Sequence, residues 1–219
     1  MRLTCGVIVL AMAVLAGVRP GALGAQEPRL AGRLPAAARV RVDSILDAAR
    51  AAGLPTEPLI DRALEGAAKG APAPLIVAAV ARLRGELDVV RTAFGPATSP
   101  AELTAGASAL RAGALGTDLA RLRALRPGQP LTVAAGVLAD LVAAGVPADT
   151  AIGAVLALAT DAADADYVAF RRNVQRDIAL GASPAAALGV RLQGDLATAE
   201  PGSQVGGTGG VRGPRKQKP

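Results

Sequence analysis

The sequence predicts an all-α fold: a bundle or short array of antiparallel helical hairpins, with about nine short helices and no significant sheet. Three observations predict it. Glycine followed closely by proline recurs, at Gly53-Leu54-Pro55, Gly70-Ala71-Pro72, Gly145-Val146-Pro147 and Gly181-Ala182-Ser183-Pro184. Glycine just past a helix end accepts a left-handed cap, and proline is tolerated in the first turn of the next helix, so each run ends one helix and starts another. Between these runs, apolar residues return at steps of three and four, the helical period. No stretch alternates polar and apolar residues for long enough to read as a strand.

Taken in order, Val42, Ile45, Leu46 and Ala49 give one apolar face to a helix over 36–52. Ile60, Leu64 and Ala67 do the same over 55–69. The helix over 73–94 carries the longest stripe, Ile76, Val80, Leu83, Leu87, Val90 and Phe94. Leu75 to Val80 alone would pass for a buried strand, but the stripe continues to Phe94 and decides for a helix. Ser99-Pro100-Ala101-Glu102 is a capping box that opens a helix over 100–112. Weaker faces follow at Leu103 and Leu110, then at Leu119 and Leu122 in a helix over 117–126. Val137, Leu138 and Leu141 belong to 130–144, and Ile152, Val155, Leu156 and Ala159 to 147–160. Tyr167, Phe170, Val174 and Ile178 mark 164–180, and Leu188 and Leu192 mark 184–197. The links are short, so neighbouring helices pack antiparallel. Alanine, at 52 of 219 residues, lets their backbones approach closely.

The helical domain spans 36–200, preceded by a flexible leader at 26–35. Within it, residues 45–64 resemble 137–156 without a gap, which points to an internal duplication of one helical hairpin. The two ends differ in kind from this body. Residues 1–25 read as a secretory signal: Arg2, then an uncharged apolar run from Gly6 to Val18, then small residues that place cleavage after Gly24 or Ala25. The apolar run is shorter than the roughly 20 residues of a comfortable membrane span. The alternative is an uncleaved segment that anchors the chain in the membrane. Residues 201–219 form a glycine-rich basic tail with almost nothing to bury, which predicts disorder.

The formal charge of +6 belongs to these ends. Arg2 and Arg19 lie in the signal, and Arg212, Arg215, Lys216 and Lys218 in the tail, leaving 18 basic and 18 acidic residues in the body. A neutral body without aromatic stacking platforms is a poor partner for nucleic acid. The chain has no His, which excludes Ser-His-Asp and Cys-His catalysis and histidine-ligated metals. Its one cysteine, Cys5, precedes the signal's apolar run and leaves the mature chain without thiols, as suits an oxidising compartment. Arg outnumbers Lys 21 to 3, and this bias with the abundant alanine points to a bacterial chain, periplasmic or secreted.

Asp161, Asp164 and Asp166 are the one acidic cluster, of the type that holds Ca²⁺ or Mg²⁺ through oxygen. The spacing lacks the glycine and distal glutamate of an EF-hand loop, and capping of the helix from Asp164 accounts for the cluster more simply. Arg171, Arg172 and Arg176 follow and could clamp an anion, although a solvated helix face explains them as well. Glu65 and Lys69 form an i, i+4 surface pair. Nothing in the sequence calls for a cofactor. The expectation is an exported, non-enzymatic module that binds an envelope protein or peptide, with the tail touching an anionic surface weakly. The alternative is a metal-dependent enzyme built on the three aspartates.

Overall fold

The computed structural model describes residues 27–199, and there it is all-α, with nine helices and no strand. These are α1 (Ala36–Ala51), α2 (Glu57–Ala68), α3 (Ala73–Phe94), α4 (Pro100–Arg111), α5 (Gly116–Leu125), α6 (Thr132–Ala143), α7 (Ala148–Leu158), α8 (Asp164–Ala179) and α9 (Pro184–Ala199). Every boundary falls within two residues of its sequence expectation. The signal at 1–25 and the tail at 201–219 lie outside the described residues. No helix among those described is long and apolar enough to cross a membrane.

The glycine-proline runs end and start helices as their chemistry requires. Gly53, Gly70, Gly145 and Gly181 all have positive φ. At Gly145 (φ +92°) the chain reverses so that the Val146 amide donates to the Leu141 carbonyl at 3.1 Å, closing the end of α6. Leu54 and Ala49 make the same bond after α1, at 2.9 Å. Pro184 opens α9 as expected, whereas Pro147 sits one position before α7 and Pro55 two before α2. Pro72 and Pro147 are N-caps in extended backbone, and their carbonyls accept the first amides of α3 and α7. The likeness of 45–64 to 137–156 therefore extends to the turn. It stops at the second helix: α2 packs broadly on α3, whereas α7 lies against α6, α9 and α5.

Two helices, α3 and α6, organise the packing. α3 is surrounded by α1, α2, α4 and α5, and its whole predicted stripe from Ile76 to Phe94 is buried. α6 carries α7 and α8, and α9 closes over α8 and α7. The α4–α6 face is the broadest contact of the molecule and joins the two groups. Tyr167, Phe170 and Val174 fill the second group's core.

The leader expected at 26–35 is not free where it is described. Pro28–Leu30 form a 3-10 turn, Leu30 is fully buried and Leu34 nearly so. Arg29 clasps Glu57 at the start of α2 with two bonds of 2.7 Å. Two leucines a turn apart provide enough apolar surface to hold a segment too short to show a period.

Close helix approach depends on glycine as much as on alanine. A Cβ at Gly106 in α4 would lie 2.5 Å from Val90 Cγ1 and 2.9 Å from its Cγ2, so the backbone of α4 rests directly on α3. Gly85, in the middle of α3, has nothing within 4 Å of its own virtual Cβ. Gly106→Ala should therefore destabilise the fold by about 1–3 kcal/mol through overpacking. Gly85→Ala should stabilise it by roughly 0.5–1 kcal/mol by reducing unfolded-chain entropy. Thermal denaturation of both variants checks this; shifts of the same sign would refute the close approach.

Candidate functional site

The residues singled out from the sequence do not converge. Asp166 accepts the Ala163 amide at 2.8 Å and caps α8. Asp164 binds Arg126 at 3.0 Å. Asp161 is exposed in the α7–α8 link. Each carboxylate serves a different end, and no group of three His, Cys, Asp or Glu among the described residues could hold a metal ion. The metal-dependent arrangement proposed for Asp161, Asp164 and Asp166 is thus not formed there, because capping and pairing turn the oxygens apart. Arg171 reaches across to Asp140 of α6, while Arg172 and Arg176 lie exposed on α8. Asp177 is held below the usual carboxylate range by the hydrogen bonds of Arg191, with Arg176 adding its charge. Lys69 and Arg62 both bond Glu65 on the surface of α2, at 2.6 and 3.1 Å. The tail cations Arg212, Arg215, Lys216 and Lys218 lie outside the described residues.

The polar centre of the molecule is Glu102, which the sequence marks only as half of a capping box. Its Oε2 accepts the Ser99 amide at 3.0 Å and the Ser99 hydroxyl at 2.9 Å, and the Ser99 hydroxyl in turn accepts the Glu102 amide. Its Oε1 accepts the Leu131 amide at 3.0 Å and Arg123 Nη2 at 2.8 Å. One carboxylate thereby ties the start of α4, the last turn of α5 and the approach to α6. Arg123 also donates to the Gln129 carbonyl at 2.7 Å and lies 5.6 Å over the Phe94 ring. Burial pushes the Glu102 carboxyl up, but the amides of Ser99 and Leu131, the Ser99 hydroxyl and Arg123 together hold it below the ordinary range. A cavity of about 460 Å³ opens beside it, between Phe94, Thr98, Arg123 and Pro130. With every lone pair engaged, this carboxylate is built to hold helices and not to move protons.

A second internal node sits just past the same end of α5, at its C-cap Arg126. Arg126 is 1% exposed. It donates to the Ala162 carbonyl, pairs with Asp164 and lies 5.2 Å over the ring of Tyr167. The Tyr167 hydroxyl donates to the Val155 carbonyl at 2.9 Å. Burial pushes the Tyr167 phenol up to about 12, against the opposing pull of the Arg126 charge.

The surface offers two further features. An apolar groove of about 540 Å³ runs along α4 past Ala101, Thr104, Ala105 and Ser108, between the starts of α2 and α6. Thr104 and Ser108 donate their hydroxyls to carbonyls one turn back in α4. A smaller cleft lies between α2, α3 and the end of α4.

The Glu102 node and Tyr167 each yield a measurable outcome. A carboxyl held low in the folded state contributes stability above its unfolded pKa and loses it as pH falls through the folded value. Glu102→Gln should cost about 1–3 kcal/mol at neutral pH, and its stability should decline less than the parent's as pH falls below about 4. Equal decline in urea titrations would refute the assignment. Tyr167 is the one tyrosine and there is no tryptophan, so ultraviolet titration reads it cleanly. Its phenolate band should stay absent in the folded protein until pH approaches about 12, and ionisation near the free value would contradict the burial.

No family model matches the chain, and no curated protein or solved structure is detectably similar to it.

Proposed function

We propose that the chain is an exported, non-enzymatic helical module that binds a protein or peptide partner of the cell envelope. The observation that carries this reading is the groove along α4. It is mostly apolar, open, and lined by small residues of Ala, Pro, Thr, Ser and Gly, with Glu57 at its border, which leaves room for an incoming segment. An amphipathic helix laid into such a groove presents its apolar face to Ala101, Thr104 and Ala105 at helical spacing. The internal chemistry supports the same reading, because the buried charges of Glu102 and Arg126 are engaged with neighbouring helices. The signal-like residues 1–25 support export, and the cations of 201–219 add a weak contact with an anionic surface.

A photo-cross-linking residue at Thr104 tests this in living cells. One discrete adduct is expected from position 104 and none from Arg121, an exposed residue of α5 that does not line the groove. The adduct should vanish when Ala105→Trp fills the groove, and the protein should fractionate outside the cytoplasm without residues 1–25. Equal labelling from both positions, or full-length protein retained in the cytoplasm, would overturn the proposal.

A further inference from the structure

The cleft between α2, α3 and α4 is lined by Arg62, Arg82 and Arg111, with Glu86 the one carboxylate in its wall. Ala79 and Leu83 are the apolar part of its lining. The volume is about 150 Å³, the size of a small anion and its water. Glu86 is engaged by Arg111 Nη1 at 2.9 Å, and Arg111 Nη2 donates to the Ser108 hydroxyl at 2.9 Å. Arg62 donates to Glu65 at 3.1 Å, a carboxylate that Lys69 already offsets at 2.6 Å. Arg82 is exposed and has no hydrogen bond or ion pair among the described residues. Three guanidinium groups from three helices thus border one cleft against a single carboxylate, a surplus of two positive charges.

Like charges gathered in this way repel, and the surplus is relieved by an anion seated among them. A guanidinium offers five N–H donors, and these three retain most of theirs. Planar, bidentate donors suit phosphate and carboxylate alike. The charge surplus discriminates between them, since a dianion balances it and a monocarboxylate does not. We infer that this cleft is a binding site for a phosphate group, held by Arg62, Arg82 and Arg111. The inference does not depend on the groove along α4. A soluble phosphate monoester and the monoester headgroup of phosphatidic acid share this chemistry, since both approach two negative charges near neutral pH.

The test is calorimetric titration of the full chain with inorganic phosphate at low ionic strength, followed by sedimentation with phosphatidylcholine vesicles prepared with or without phosphatidic acid. Phosphate should bind with a dissociation constant on the order of 1 mM or tighter, and acetate about tenfold more weakly. Arg82→Ala should weaken phosphate binding about tenfold by removing a charged donor. The exposed, unpartnered position of Arg82 leaves the fold intact, which circular dichroism verifies. Arg82→Lys should recover part of the loss and Arg121→Ala should cause none. The cationic tail is present in every variant, so the Arg82 difference reports the cleft. Vesicle binding that Arg82→Ala weakens and free phosphate displaces supports the site with a lipid headgroup as the source. Phosphate binding without vesicle binding supports it with a soluble source. No phosphate binding at 10 times the expected constant, or equal loss in Arg82→Ala and Arg121→Ala, overturns the inference.

Discussion

Short helices expose more unsatisfied backbone groups per residue than long ones, and burying their ends is the constraint around which this protein is built. Nine helices in 173 described residues bring many termini into the interior. Glu102 answers the problem where it is most acute. Its carboxylate accepts two amides, one from Ser99 beside it and one from Leu131, 29 residues further on. Because α4 and α6 form the main joint between the two groups of helices, the carboxylate that fixes their relative placement holds the whole arrangement. Removing it would leave the Leu131 amide and the Arg123 guanidinium without their shared acceptor.

Arginine performs the complementary task at helix C-termini. Arg91 donates to the Ala52 carbonyl at the end of α1, and Arg126 to the Ala162 carbonyl beyond α7. Arg123 donates to the carbonyls past the end of α5. At the ends of α1 and α5 a positive charge also complements the helix dipole. The long stem covers apolar surface while the fork reaches the backbone, a combination lysine provides less well. The arginine excess of the sequence thus has a structural use inside the body. Arg82, Arg172 and Arg176 stand outside that pattern on the surface.

Local chemistry was readable in the sequence, and distant pairing was not. The turns at Gly53, Gly70, Gly145 and Gly181 were legible because left-handed backbone demands a specific residue at a specific step. The stripe from Ile76 to Phe94 was legible because burial imposes a period. The Ser99–Glu102 box was legible for the same local reason, yet the other oxygen of that glutamate left no mark, since Leu131 is reached through the fold. Arg126 reads as an ordinary cation before Pro127 and Gly128, and only its packing against Tyr167 shows it to be interior. Leu30 and Leu34 escaped because two residues set no period. Arg62, Arg82 and Arg111 are spaced by 20 and 29 residues on three helices, so no motif announces their cleft.

The position of α3 has a kinetic consequence. Its broad partners are α1, α2, α4 and α5, all of which precede Arg126. A chain that emerges N-terminus first has therefore presented everything α3 needs before α6 appears. Most pairings join helices adjacent or next-but-one in order, and contacts of low sequence separation allow rapid closure. The later helices then dock on a platform already assembled, where the Glu102 oxygen bonded by Arg123 also accepts the Leu131 amide.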